Sequence, residues 1–232
     1  MNALELRSIV AGYDGAPVLR DFSLRVPAGE TVTLLGPSGC GKTTVLRVAA
    51  SFLVPVRGSV IAAGREVTRP DRHRFMVFQE PSQLLPWKTV MGNVLFALAA
   101  IDVHGAVATA RAAAMLSRLG LAGSENRFPH QLSGGMKQRV ALARAFVLNP
   151  AVLLMDEPFA SVDAPRRREL QDLLLELVRV ERPAVLFVTH DLDEAVRIGG
   201  RILVMSREGR IVAEERDPRR DRLAGLLAEQ HR

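Results

Sequence analysis

The 232-residue chain is poor in several features that would narrow its role. It has one cysteine, one tryptophan and one tyrosine, and aromatic residues make up only 5% of it. A single cysteine, Cys40, excludes an internal disulfide and fits a reducing compartment. The longest clean apolar run, VLFALAAI at 94–101, is far too short to cross a bilayer. At the start, MNALELRSIV is interrupted by Glu5 and Arg7, so no export signal is expected there. Internal repeats and low-complexity linkers are missing too. The net charge of +6 is held by no tail or block, and the Arg-rich EERDPRRDR alternates sign as a solvated surface does. Charge therefore gives no case for a nucleic-acid partner.

What is present is an ordinary globular composition, 48% apolar and 24% charged, long enough for one full core. LELRSIVAGY and FSLRVPAG read as antiparallel strands with turns at Asp14-Gly15 and Pro27-Ala28-Gly29. TVTLLG (31–36) reads as a buried strand running into a helix from about Lys42. Further strands are expected at 58–64, 74–79, 151–156, 184–189 and 201–206, with helices at about 164–181 and 191–199. Apolar strands alternating with helices imply a parallel sheet covered on both faces. The Ala-rich stretch 83–149 is helical by propensity and reads as a helical subdomain inserted in an α/β core. The expected organisation is one domain over 1–232, with the core at 1–82 and 150–232.

Four constellations carry chemistry. GPSGCGKTT (Gly36, Pro37, Ser38, Gly39, Cys40, Gly41, Lys42, Thr43, Thr44) follows a strand and opens a helix, the context a P-loop requires. Its glycines let backbone N–H groups approach phosphate oxygens, Lys42 would reach the β- and γ-phosphates, and the Thr43 hydroxyl would ligate Mg²⁺. Cys40 is a small loop residue whose thiol could be sensitive to alkylation. AVLLMDEP ends a strand with Asp156, suited to hold Mg²⁺, and Glu157, suited to polarise an attacking water. His190 and Gln79 also close strands, where Gln79 could reach the metal or the water, and Asp191 and Glu194 could cap the helix after His190. In HQLSGGMKQRVALARAF, Ser133, Gly134 and Gly135 stand before the helically spaced Met136, Val140, Ala143 and Val147. That is a second helix start suited to an anion. Tyr13 is either a packed aromatic or a stacking platform for a base.

In this order, Tyr13, GPSGCGKTT, Gln79, LSGGMKQ, LLMDEP, SVD at 161–163 and His190 resemble the ATP-binding subunits of ABC transporters along nearly the whole chain. The resemblance implies a P-loop NTPase core with a parallel sheet, an N-terminal antiparallel β subdomain and an inserted helical subdomain carrying the signature. It implies ATP and Mg²⁺. It also implies a head-to-tail dimer in which each ATP lies between one copy's P-loop and the other copy's Ser133–Gly135 helix start, with Asp163 at the interface. EPSQLLPWKTVMGNV (80–94) resembles importers of nitrate, taurine and aliphatic sulfonates. That implies a transmembrane permease, a periplasmic solute-binding protein and a peripheral place on the cytoplasmic face of the membrane. Trp87 is either a permease anchor or, with Leu84, part of the helical core. Ser51 departs from the usual glycine, and the usual acidic residue before Pro55 is missing. A soluble ABC ATPase of the iron–sulfur assembly type is the alternative, with LLPW unaccounted for.

Overall fold

Alternation of apolar and polar residues builds the first sheet. In β1 (Asn2–Tyr13) the side chains of Leu4, Leu6, Ile9 and Ala11 are buried, and in β2 (Ala16–Pro27) those of Leu19, Phe22, Leu24 and Val26. The two strands pair antiparallel, Tyr13 opposite Ala16, around Asp14 and Gly15. Both turn residues have positive φ, 51° and 79°, as the twist of a two-residue hairpin demands. With β4 (Arg57–Ala62) and β5 (Arg65–Glu66) they form a four-stranded sheet in the order β2-β1-β4-β5.

Continuous apolar runs build the second. β3 (Thr31–Leu35), β7 (Val152–Asp156), β8 (Ala184–Thr189) and β9 (Arg201–Met205) are buried almost throughout. Joined by β6 (Arg74–Val77) and β10 (Ile211–Glu215), they give a six-stranded sheet ordered β10-β9-β3-β8-β7-β6. β9, β3, β8 and β7 run parallel, and β10 is antiparallel to β9. The helix α1 (Lys42–Ala49) inserts Val45, Leu46, Val48 and Ala49 into an apolar cluster shared with both sheets. A smaller cluster, Leu35, Ala195, Ile202, Val204 and Leu223, seats helices later in the chain.

In this computed structural model, residues 1–79, 83–216 and 219–229 are described. They divide into two units. The first comprises 1–76, 151–157 and 182–232, with both sheets, α1 and two helices named below. The second comprises 77–150 and 158–181. It holds α2 (Val90–Ala99), α3 (Gly105–Arg118), α4 (Gly134–Phe146) and α5 (Ala164–Glu181), with α4 packed against the other three. The helices α6 (Leu192–Ile198) and α7 (Arg220–Glu229) complete the first unit. The strand expected at 74–79 stops at Val77, because Phe78 and Gln79 are exposed. Neither β10 nor α7 was expected from the sequence. No helix of the described residues is long and apolar enough to cross a membrane.

Candidate nucleotide site

The parallel register sets the site. Leu35 of β3 lies opposite Thr189 of β8, and Asp156 of β7 opposite Val188, so the carboxyl ends of three strands share one edge. Ligands of open α/β sheets bind at this edge. The loop after β3 turns at Gly36, where a Cβ would meet the Met205 carbonyl oxygen at 2.8 Å. Gly39 and Gly41 take positive φ, 81° and 104°, and Gly41 is the N-cap of α1, leaving the N–H groups of the first turn for an anion. Lys42 is buried at 5% exposure and donates to the carbonyls of Gly36 and Pro37, both at 2.8 Å. Its Nζ lies 3.7 Å from Glu157 Oε1.

Thr43 donates through Oγ1 to Asp156 Oδ1 at 3.1 Å. Burial pushes the Asp156 carboxyl above the ordinary range; the Thr43 hydrogen bond opposes this, and the charge of Glu157 adds to it. Thr43 and Asp156 together offer oxygen donors, the chemistry a hard divalent cation requires. Among the described residues no group of three or more His, Cys, Asp or Glu could hold a metal. Mg²⁺ suits such a sparse donor set, since phosphates and water complete its shell. Glu157 has φ 42°, an unusual value for its residue type, and its N–H donates to the Val188 carbonyl at 3.0 Å. Its Oε2 accepts from His190 Nδ1 at 2.8 Å. A carboxylate only accepts, so Nδ1 carries the proton in this pair. Asp191 caps α6 by accepting from the Glu194 N–H at 3.0 Å. Burial raises the Cys40 thiol, which disfavours the thiolate and hence alkylation.

Tyr13 lies outside the packed core, 40% exposed, with its hydroxyl accepting from Arg47 at 3.1 Å and the Arg47 guanidinium 5.8 Å from its ring centroid. Arg47, on α1, had no sequence signal as a partner of Tyr13.

In the second unit, Ser133 N-caps α4 and accepts from the Met136 N–H at 3.3 Å. Ser133 and Gly134 are exposed to solvent, whereas Gly135 is buried. Asp163 is exposed, with Arg166 at 3.8 Å. Gln79 is exposed. Residues 80–82 of the 80–94 stretch lie outside the described residues. The rest of that stretch separates the two readings of Leu84 and Trp87, since Leu84 is buried and Trp87 is 70% exposed. Asn93, fully buried, holds the turn that displays Trp87. It accepts from the Leu85 N–H at 2.8 Å and donates to the carbonyls of Leu85, Lys88 and Thr89 at 3.2, 3.1 and 3.0 Å. In the sequence Asn93 showed as a polar residue after Gly92 in an otherwise apolar helix, within the 80–94 stretch that carries the importer resemblance.

A glycine-rich loop between a parallel strand and a helix, facing an acidic pair on a neighbouring strand end, defines a P-loop nucleotide-binding domain. Residues 19–160 match the family model described as ABC transporter, and the chain belongs to that family. It is 43% identical over 203 residues to the taurine import ATP-binding protein TauB of Yersinia pestis bv. Antiqua, covering 88% of this chain and 79% of the relative. For the protein of that name in Escherichia coli K12 the identity is 42% over the same shares. Among solved structures, cbiO1 from Clostridium perfringens, part of an ABC transporter complex, superposes with a TM-score of 0.85. That match has 26% identity and covers 98% of this chain and 92% of the other. The dimeric bacterial ABC transporter cassette MJ0796 gives 0.81 at 30% identity, covering 93% and 99%. A dimer of that cassette bound to ADP and Pi gives the same TM-score.

Proposed function

We propose that this chain is the ATP-binding and ATP-hydrolysing subunit of an importer for a small solute. The observation that carries the reading is the convergence of Lys42, Thr43, Asp156, Glu157 and His190 at one sheet edge. The loop N–H groups and Lys42 bind the phosphates of ATP, Thr43 and Asp156 hold Mg²⁺, and Tyr13 stacks on the base. When bound, Mg²⁺ offsets phosphate charge. Glu157 accepts a proton from the attacking water while His190 orients the carboxylate, and Gln79 reaches the same centre. Two copies pair head to tail, so that one copy's P-loop and the other's Ser133–Gly135 helix start enclose each ATP, with Asp163 at the interface. Binding closes the dimer and hydrolysis opens it.

The importer reading rests on the similarity to the taurine import proteins and on Trp87, an exposed aromatic on a pinned turn. Trp87 anchors a transmembrane permease, which places the subunit peripherally on the cytoplasmic face of the membrane. A periplasmic solute-binding protein delivers a taurine-like, sulfonate or nitrate solute, which never touches this chain. A co-purifying multi-span protein separates this from a soluble ABC ATPase. Glu157→Gln tests the chemistry: it keeps shape and removes the base, so ATP should still bind while turnover falls at least ~10²-fold, with an ATP-bound dimer accumulating on size exclusion. Unchanged turnover would remove Glu157 from that role.

A further inference from the structure

Within the first unit, a cleft of about 450 Å³ opens between the β1–β2 hairpin and β9–β10. Arg7 and Ser8 of β1 and Ser23 and Arg25 of β2 line it together with Arg201 of β9, and Glu214 of β10 is the carboxylate in the lining. Arg201 is mostly buried: one Nη donates to the Arg25 carbonyl, and the other faces Glu214 at 3.4 Å. Its Nε is buried without any hydrogen-bond partner among the described residues. A buried guanidinium N–H with nothing to bond is an unsatisfied donor in a site already rich in donors. Arg7 is exposed and paired to Glu5 at 2.8 Å. Arg25 is exposed and stands opposite Glu5 in the β1–β2 register, with no carboxylate within 4.0 Å of it among the described residues.

The backbone is adjusted at the same place. Between Leu6 and Ile9 the β1–β2 register shifts, and Ser8 takes φ 46° with its N–H on Ser23 Oγ at 2.9 Å. Bulges of this kind re-aim side chains beside binding sites. A second cleft, which includes Arg20, Arg210 and the carboxylate of Asp21, shares Ser23 and Ile211 with the first and adds two guanidinium groups beside it. The volume suits a small molecule, and planar guanidinium forks on two walls suit tetrahedral oxyanions better than a flat anionic surface. Arg201 pairs with Val32, at the start of β3, whereas the P-loop follows Leu35 at its other end.

We propose that this cleft is a second binding site of the subunit, separate from the ATP site, for a small molecule carrying a phosphate or sulfonate group. It does not depend on the importer reading. The test uses the whole chain with ADP and Mg²⁺ saturating, so that the P-loop is filled. Inorganic phosphate and, separately, methanesulfonate are titrated at constant ionic strength while backbone amide resonances are followed. The expected result is a saturable shift of the Ser8 and Ser23 amides. Arg25→Ala, at an exposed position that leaves the fold intact, should weaken it about tenfold, whereas Arg111→Ala in the second unit should not. Saturation by phosphate alone assigns a phosphorylated ligand, and by methanesulfonate alone a sulfonated one, and both support the site. No saturable shift at these amides, or one that Arg25→Ala leaves unchanged, overturns it.

Discussion

The two units treat their anion-facing helix starts in opposite ways. At α1 the helix start is backed by buried charge: Lys42 is tied to two loop carbonyls, Thr43 to Asp156, and Glu157 to His190. At α4 the start is polar but uncharged, with Ser133 and Gly134 exposed, Gly135 buried, and the turn held by the Met136 N–H on Ser133 Oγ and the Lys137 N–H on the Ser133 carbonyl. One unit thus contains groups that hold charge and move a proton; the other offers N–H groups and a dipole with no acid or base attached. A helix start of the second kind can stabilise an anion but cannot hydrolyse anything by itself. The difference teaches that the buried, charged groups of the proposed site lie on the first unit, and it supports the proposal that α4 of the second serves as a clamp.

The sharpest way to break the comparison is to spoil the clamp. Ser133→Arg removes the cap and fills the approach to α4. Hydrolysis and ATP-driven dimerisation should be abolished, while the isolated chain still binds ATP with affinity within about twofold, since the P-loop is untouched. Equilibrium binding to the monomer and light scattering with ATP give the two readings, and a loss of monomer binding would mean that α4 serves its own nucleotide.

Among the exposed apolar side chains of the second unit is Trp87. Trp87→Ala should leave the free subunit's thermal stability unchanged and lower solute-stimulated ATPase in the permease complex about tenfold or more. Asn93→Ala should reproduce that loss with Trp87 still present. It should also cost the free subunit about 2–3 kcal/mol, because four backbone groups of the turn lose a buried partner. Full stimulation in the Trp87→Ala complex would exclude it from docking.

How much of this was legible in the sequence depended on whether a residue acts through its own chemistry or through its neighbours. Asp156, Glu157 and His190 stand at the ends of apolar runs, Lys42 and Thr43 follow the glycine-rich motif after another, and a parallel sheet gathers such ends on one edge, so their convergence could be read from motif and order. The cap Ser133 and the cap Asp191 were legible for the same local reason. Asn93 was not, since its role is to satisfy four groups that only the folded turn brings together. Arg47 beside Tyr13 and Arg201 beside Arg25 depend on packing across 34 and 176 positions of chain. Helix α5, apolar on one face only, carried no mark of the unit it would join; the structure groups it with α4, and Arg139 of α4 bridges to Glu169 at 3.2 Å. Nor did β10 stand out, because its burial is partial and its short apolar start ends in two glutamates.

A smaller effect sharpens the first unit's side of the contrast. Because burial raises the Asp156 carboxyl, the folded state holds that proton more tightly than the unfolded chain does, so the ionised form costs stability at neutral pH. Stability of the free subunit should therefore decline as pH rises from the ordinary carboxylate range through the raised folded value. Asp156→Asn should remove that dependence and stabilise the free subunit at neutral pH by about 1 kcal/mol, while abolishing Mg²⁺-dependent turnover. Denaturant melts of both proteins across pH decide it: the gap should close at acid pH, and a variant less stable at neutral pH would mean that the Thr43 hydrogen bond outweighs burial.

The central claim is that the chemical site and its clamp come from different copies, and mixed dimers test it most directly. In a Glu157→Gln background, one copy carries Lys42→Ala and the other Ser133→Arg, and the ATP retained per dimer is counted. If each ATP lies between the P-loop of one copy and α4 of the other, both lesions fall in the same site. The second site is then intact, and one ATP per dimer is held. Pairing a copy that carries both substitutions with an otherwise unaltered copy should then damage both sites and hold none. The reverse pattern, no ATP in the first mixture and one in the second, would contradict the account by placing P-loop and clamp on the same chain.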